Sequence, residues 1–184
     1  MKTASLITLF VVLAGVFCGG KSGSQVPVTT EKWPAEVTNP LTENDVARLV
    51  KVLPVLDAAL KADSWIPTRP KEGDGPVAAL TGYVESMNLP GVGDSLKKAG
   101  SSWEEVRPAL CRAFAATTAL SYDRTTPELA EQIAQMRKDT SSAIKKAVQG
   151  YDAFKAVYSQ IPAGNKKMFA DHEKELQFLY TLGR

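Results

Sequence analysis

One histidine and two cysteines in 184 residues cannot assemble a site that needs several imidazole or thiolate ligands from one chain, such as a Cys/His zinc site. Charge of one sign is also missing in excess. Twenty-two Lys+Arg stand against 20 Asp+Glu, a net +2, whereas a domain that works by binding phosphate backbones carries a clear basic surplus, so no nucleic-acid partner is expected. The longest apolar run, Leu6 to Cys18, falls short of the roughly 20 residues that span a bilayer. After Pro40 no segment alternates apolar and polar as a half-buried strand does. The His-Glu-x-x-His, Cys-x-x-Cys-His and Gly-x-Ser-x-Gly patterns do not occur. No catalytic residue, metal or cofactor is therefore assigned, and the chain reads as a non-enzymatic protein of all-α class.

What the sequence does contain begins at its start. Lys2 precedes the apolar run, and Gly19-Gly20-Lys21-Ser22-Gly23-Ser24 ends it abruptly, the charge-then-core pattern of a secretory signal. The distance of Cys18 from Met1 and the Gly/Ser stretch behind it resemble a bacterial lipoprotein leader, in which such a Cys is acylated and becomes the first mature residue. Phe17 stands where that family has a small side chain, and Cys18-Gly19-Gly20 equally suits ordinary signal peptidase. Residues 1–18 are thus read as a signal peptide whose Cys18 is the lipidation candidate. The protein is expected to be exported to the bacterial cell envelope, lipid-anchored or periplasmic and secreted. With Cys18 acylated or removed, Cys111 in Ala109-Leu110-Cys111-Arg112-Ala113-Phe114 is a buried, inert thiol of a packed helix.

Residues 19–40, with Pro27, Pro34 and Pro40 and no sustained period, read as a tether or as a strap across the body on which Trp33 docks. Residues 41–184 read as one domain, an antiparallel bundle of four to five helices, some bent by proline. Thr42 caps the first, with Asp45 in its opening turn and Val46, Leu49, Val50, Leu53, Leu56 and Leu60 along one face. Pro54 either kinks it or divides it near Leu53. A loop over 63–75 turns Trp65 and Ile66 inward, and Pro76 opens a helix carrying Val77, Leu80, Val84 and Met87.

Leu89-Pro90-Gly91-Val92-Gly93 reads as a Gly/Pro turn before a short helix, Asp94 to Ala99, closed by Gly100. Together with Leu96-Lys97-Lys98-Ala99 it resembles the helix-hairpin-helix family, whose hairpin amides hold a DNA phosphate, although Lys97 and Gly100 stand where that family has a small and an apolar residue. Ser102 and Glu105 form a capping box for the next helix, with Trp103, Val106, Leu110, Phe114 and Leu120 inward and Pro108 near its start. A fourth stripe, Leu129, Ile133, Met136, Ile144, Val148, Tyr151, Phe154, Val157 and Ile161, is too long for one straight helix and is expected to break near Thr140–Ser142 or Gly150. The last helix is expected to run from Pro162 to Leu182, with His172 on its solvated face.

Two functions remain. The first is a tethered helical bundle that acts by contact with an unknown envelope protein or as a structural accessory, held to the membrane through its N-terminal lipid if Cys18 is acylated. The alternative is a binding protein for a small apolar ligand or lipid between helices splayed by Pro54 and Pro108, with Trp65, Tyr83, Trp103 and Tyr122 lining the gap.

Overall fold

A computed structural model describes residues 32–68, 74–124 and 127–183, and every element among them is helical. In chain order these are α1 (Ala35–Thr38), α2 (Glu43–Ala62), α3 (Pro76–Glu85), α4 (Pro90–Lys98), α5 (Trp103–Asp123), α6 (Pro127–Met136), α7 (Ser142–Tyr158) and α8 (Ala163–Asp171), followed by a 3-10 turn at Gln177–Tyr180. The elements are more numerous and shorter than the four or five helices expected. The stretches expected to be a signal peptide and most of the tether lie outside the described residues.

The body is organised around α5, which packs against α1, α2, α3, α7 and α8. Its sequence explains the position. Ala115, Ala116, Thr117, Thr118 and Ala119 are consecutive and all buried, so every side of this turn faces protein, as in a helix enclosed by its neighbours. Ala109, Ala113 and Ala116 keep its surface low, which permits neighbouring helices to approach closely. The buried hydroxyls are satisfied within the helix: Thr117 donates to the Ala113 carbonyl at 2.7 Å and Thr118 to that of Phe114 at 2.9 Å. Both expected capping boxes are present, at Thr42/Asp45 for α2 and at Ser102/Glu105 for α5.

Proline bends neither helix into two. Pro54 lies on the exposed side of α2, as does Val50, whose carbonyl it deprives of a partner, and the helix runs unbroken to Ala62. Pro108 sits near the N-terminus of an equally continuous α5.

Several expected boundaries move, each for a local reason. Pro90, Gly91, Val92 and Gly93 form no turn or hairpin; they are the first turn of α4, with Pro90 at its opening and Val92 fully buried. At Gly91 a Cβ would stand 2.6 Å from the Asp63 carboxylate, an acidic group of the chain itself set at this helix start, so a larger residue would push that exposed side chain aside. Gly100 closes α4 at φ +75°, as expected, with Ser101 N–H reaching back to the Leu96 carbonyl at 2.9 Å. Trp65 is buried, whereas Ile66 is 83% exposed, contrary to the inward placement of both; neighbours on this non-helical stretch point to opposite sides.

The long fourth stripe does break, between Met136 and Ser142, with Ser141 capping α7. Its burial divides with it: Phe154, Val157 and Ile161 are buried, but no residue of α6 is. The last helix also ends early, at Asp171. Beyond it Leu176, Leu179 and Leu182 are buried at a spacing of three, the period of a 3-10 turn, and the turn packs on α2.

Candidate functional site

The stretch before α2 is a strap bolted to the body. Trp33, Val37 and Leu41 are buried; Trp33 Nε1 donates to the Val157 carbonyl at 2.9 Å and its ring lies 5.1 Å from that of Tyr158. From the other side Asn165, buried in the first turn of α8, reads the strap backbone. Its Oδ1 accepts from Leu41 N–H at 2.8 Å, and its Nδ2 donates to the Asn39 carbonyl at 2.9 Å. Two arginines of α5 complete the joint. Arg107 forms a fork on Glu36, at 2.6 and 3.0 Å, and also pairs with Glu85 of α3. Arg112 donates to the Glu36 carbonyl at 3.1 Å and to Asp45 at 2.9 Å.

The electrostatics follow from these contacts. Hydrogen bonds that Arg107 donates to Glu36 and Glu85 raise it further above its ordinary value, against a smaller opposing effect of burial. Burial pulls the Asp45 carboxyl upward, but hydrogen bonds from the Thr42 backbone and hydroxyl and the Arg112 guanidinium more than offset it, leaving the group below its ordinary value. Sequence reading missed Asn165, Arg107 and Arg112, because a polar residue that serves a distant backbone leaves no periodic signature. The only available hint was the docking of Trp33.

The ring contacts join two of the four aromatic candidates for a ligand gap, Trp65 and Tyr83. Trp65 meets Tyr83 edge-on at 5.6 Å, and Tyr83 meets Phe114 likewise at 5.3 Å. The Trp65 indole N–H is engaged by the Ser86 carbonyl at 2.9 Å, and Gly183, at φ +71°, closes so tightly on the ring that a Cβ there would clash with it. Tyr122 belongs to another group, 5.7 Å from Tyr158 and 5.5 Å from Tyr151, so that Trp33, Tyr158, Tyr122 and Tyr151 form a row from the strap across α7 and α5. Burial raises the Tyr122 and Tyr158 hydroxyls well above the ordinary tyrosine value, so both stay neutral. Trp103 is buried at the start of α5, and its indole N–H finds no partner among the described residues.

Cys18 lies outside the described residues. Cys111 is fully buried, and burial pushes its thiol up to about 12, which suppresses the thiolate that nucleophilic or redox chemistry needs. His172 is not on an open helix face. It is the C-cap of α8, with Nδ1 3.1 Å from Glu175 and Nε2 3.2 Å from Glu43 in the first turn of α2. Its hydrogen bond to Glu175, helped by Glu43, raises its pKa against the opposing effect of desolvation. No group of three or more His, Cys, Asp or Glu among the described residues is arranged to hold a metal ion, and no described helix is long and apolar enough to cross a membrane.

No family model, no curated protein and no solved structure matches the chain.

The geometry leaves one of these helices without a single buried residue. α6 carries Leu129, Ala130, Ile133, Ala134 and Met136 over a broad arc, yet all its residues are exposed or half-buried, and Met136 is 36% exposed. Its packing partner is α7, to which Arg137 adds an ion pair with Asp152 at 2.6 Å.

Proposed function

We propose that the chain is an exported, non-catalytic envelope protein, a helical bundle joined through its strap to an N-terminal membrane tether and working by protein–protein contact. The observation that carries this reading is α6, an amphipathic helix that contributes no buried residue to the body although its apolar arc would support burial. The strap supports the tethered half. A joint built from Trp33, Asn165, Arg107 and Arg112 fixes the entering chain to three separate helices, so a pull on the leader side is shared by the whole bundle. Trp65, Tyr83 and Tyr122 engaged by neighbouring rings, and Trp65 also by a backbone carbonyl, favour contact over a ligand gap.

The test is made on the protein from its own host. Intact mass of the wild type beside Cys18→Ala is expected to show a leader removed at or near Cys18 and, in the lipid-anchored form, an acyl mass that the variant loses. A photo-crosslinking side chain at Met136 is expected to capture protein in the envelope fraction. A full-length mass beginning at Met1, or a co-purified small molecule together with no protein crosslink at Met136, overturns the reading.

A further inference from the structure

We propose that the strap is a pH-responsive joint: the imidazolium of His172 closes the junction between the strap and α2, and its deprotonation loosens that junction while the rest of the body stays folded. The joint works in this way whatever the leader side carries, so it does not depend on the contact reading above.

One face of α8 forms the clamp. Asn165, Phe169 and His172 recur at intervals of four and three, the spacing that sets side chains in one row along a helix. At the start of the row Asn165 holds the backbone of Asn39 and Leu41, and Phe169 behind it is fully buried. At the end of the row His172 reaches Glu43, the first residue of α2. Residues 39–43 are thus gripped at both ends of one short helix, by an amide that does not titrate and by the one histidine of the chain.

Both ring nitrogens of His172 face carboxylate oxygens, Nδ1 that of Glu175 at 3.1 Å and Nε2 that of Glu43 at 3.2 Å. A neutral imidazole has one N–H and one lone pair, so it donates to one carboxylate and turns a lone pair on the other; the imidazolium alone satisfies both. Its charge also stands at the C-terminal end of α8, where the helix dipole favours it. The charged groups that neighbouring elements bring to α8 are engaged elsewhere. Asp45 of α2 is held by Arg112, Asp123 and Arg124 of α5 by Lys166 and Glu173, and Asp171 beside the histidine by Lys167; Tyr180 of the closing 3-10 turn donates to Glu173. When the proton leaves, the ring keeps Glu175, three residues away in its own segment, and gives up Glu43, whose approach requires two separate segments to stay together.

The folded value of His172 lies above 6.5, so its closing effect is complete below 6.5 and is lost as pH rises through the raised value. Val37 and Leu41 are buried and hold the strap at every pH, so what changes is how often the junction opens. An exposed charge pair changes such an opening by a factor of roughly two to five.

The Leu41 amide reports the junction, because its hydrogen bond goes to Asn165. Hydrogen exchange of the full chain, followed by NMR and corrected for the intrinsic effect of pH, is expected to show Leu41 exchanging faster than the buried Ala116 amide of α5. Its protection is expected to fall roughly two- to fivefold from about pH 5.5 to about pH 8. The Arg137 amide, bonded to the Ile133 carbonyl at the end of α6, opens without disturbing the clamp and is expected to stay constant. His172→Gln and Glu43→Gln, both at positions that are not buried, are each expected to flatten the response at Leu41. A response that persists in either variant, no response in the wild type, or a fall at Arg137 as large as that at Leu41 overturns the proposal. So does a Leu41 amide as slow as Ala116, since the junction would then open only with the whole body.

Discussion

α5 and α6 are consecutive in the chain and both carry apolar residues and alanines, yet one has a turn enclosed on every side and the other has no buried residue. The difference lies in what surrounds the apolar residues. On the second half of α5 the polar positions among them include Thr117, Thr118 and Ser121, whose hydroxyls bond back to the helix carbonyls and enter the core at little cost, while Arg107 and Arg112 nearer its start are paired with Glu36 and Asp45. On α6 they are Glu128, Glu131, Gln132 and Gln135, which need water or a partner charge and hold that side of the helix at the surface. Small, self-satisfied polar groups make a hub; carboxylates and amides make a rim.

That contrast can be broken in order of effect. Leu110→Ala, fully buried on α5, is expected to lower stability by about 2–5 kcal/mol in chemical denaturation, because the enclosing helices cannot all collapse into the void. Met136→Ala on α6 is expected to stay within about 0.5 kcal/mol of the wild type by the same measurement, as an exposed position should. A loss there comparable to that of Leu110→Ala would place α6 in the core.

Next in size is the strap. Asn165→Ala leaves the Leu41 N–H and the Asn39 carbonyl without their partner and is expected to cost about 1–3 kcal/mol, with faster hydrogen exchange confined first to residues 37–41. Uniform destabilisation without local exchange at the strap would show that Asn165 supports α8 alone.

Smallest is the pH dependence. His172 is raised above 6.5 by Glu175 and Glu43, so its stabilisation is complete below that value and is lost as pH rises through the raised folded value. Thermal melts from about pH 5 to about pH 8 should show a decline that His172→Gln flattens. An unchanged slope would remove the histidine from the α8–α2 contact. Asp45 has the opposite sign. Its carboxyl is depressed below 3.8, so its stabilisation is present above that value and disappears as pH falls through the lower folded one.

The sequence made the local part of this fold legible. Thr42 with Asp45, Ser102 with Glu105, Pro76 and Gly100 are cap and breaker residues whose chemistry acts over four or five positions, and each stands where that chemistry requires. Legibility failed where partners are distant. The clustering of Trp65 with Tyr83 apart from Tyr122, and the grip of Asn165 on residues more than 120 positions away, arise from packing that no local pattern encodes. It also failed where two periods compete. Leu176, Leu179 and Leu182 repeat every three residues and form 3-10 structure and turns, although they fit loosely on a helical face. The apolar stripe of α6 was visible from the start, but periodicity reports that a face exists, not that the body covers it.

Native-state hydrogen exchange reads the opening free energy of α5 and α6 in the same molecule. The buried amides of Ala115 to Ala119 are expected to exchange only through global unfolding, while those of α6 open locally at a free energy at least about 2 kcal/mol lower. Equal protection in the two helices would mean that α6 is as much a part of the cooperative core as α5.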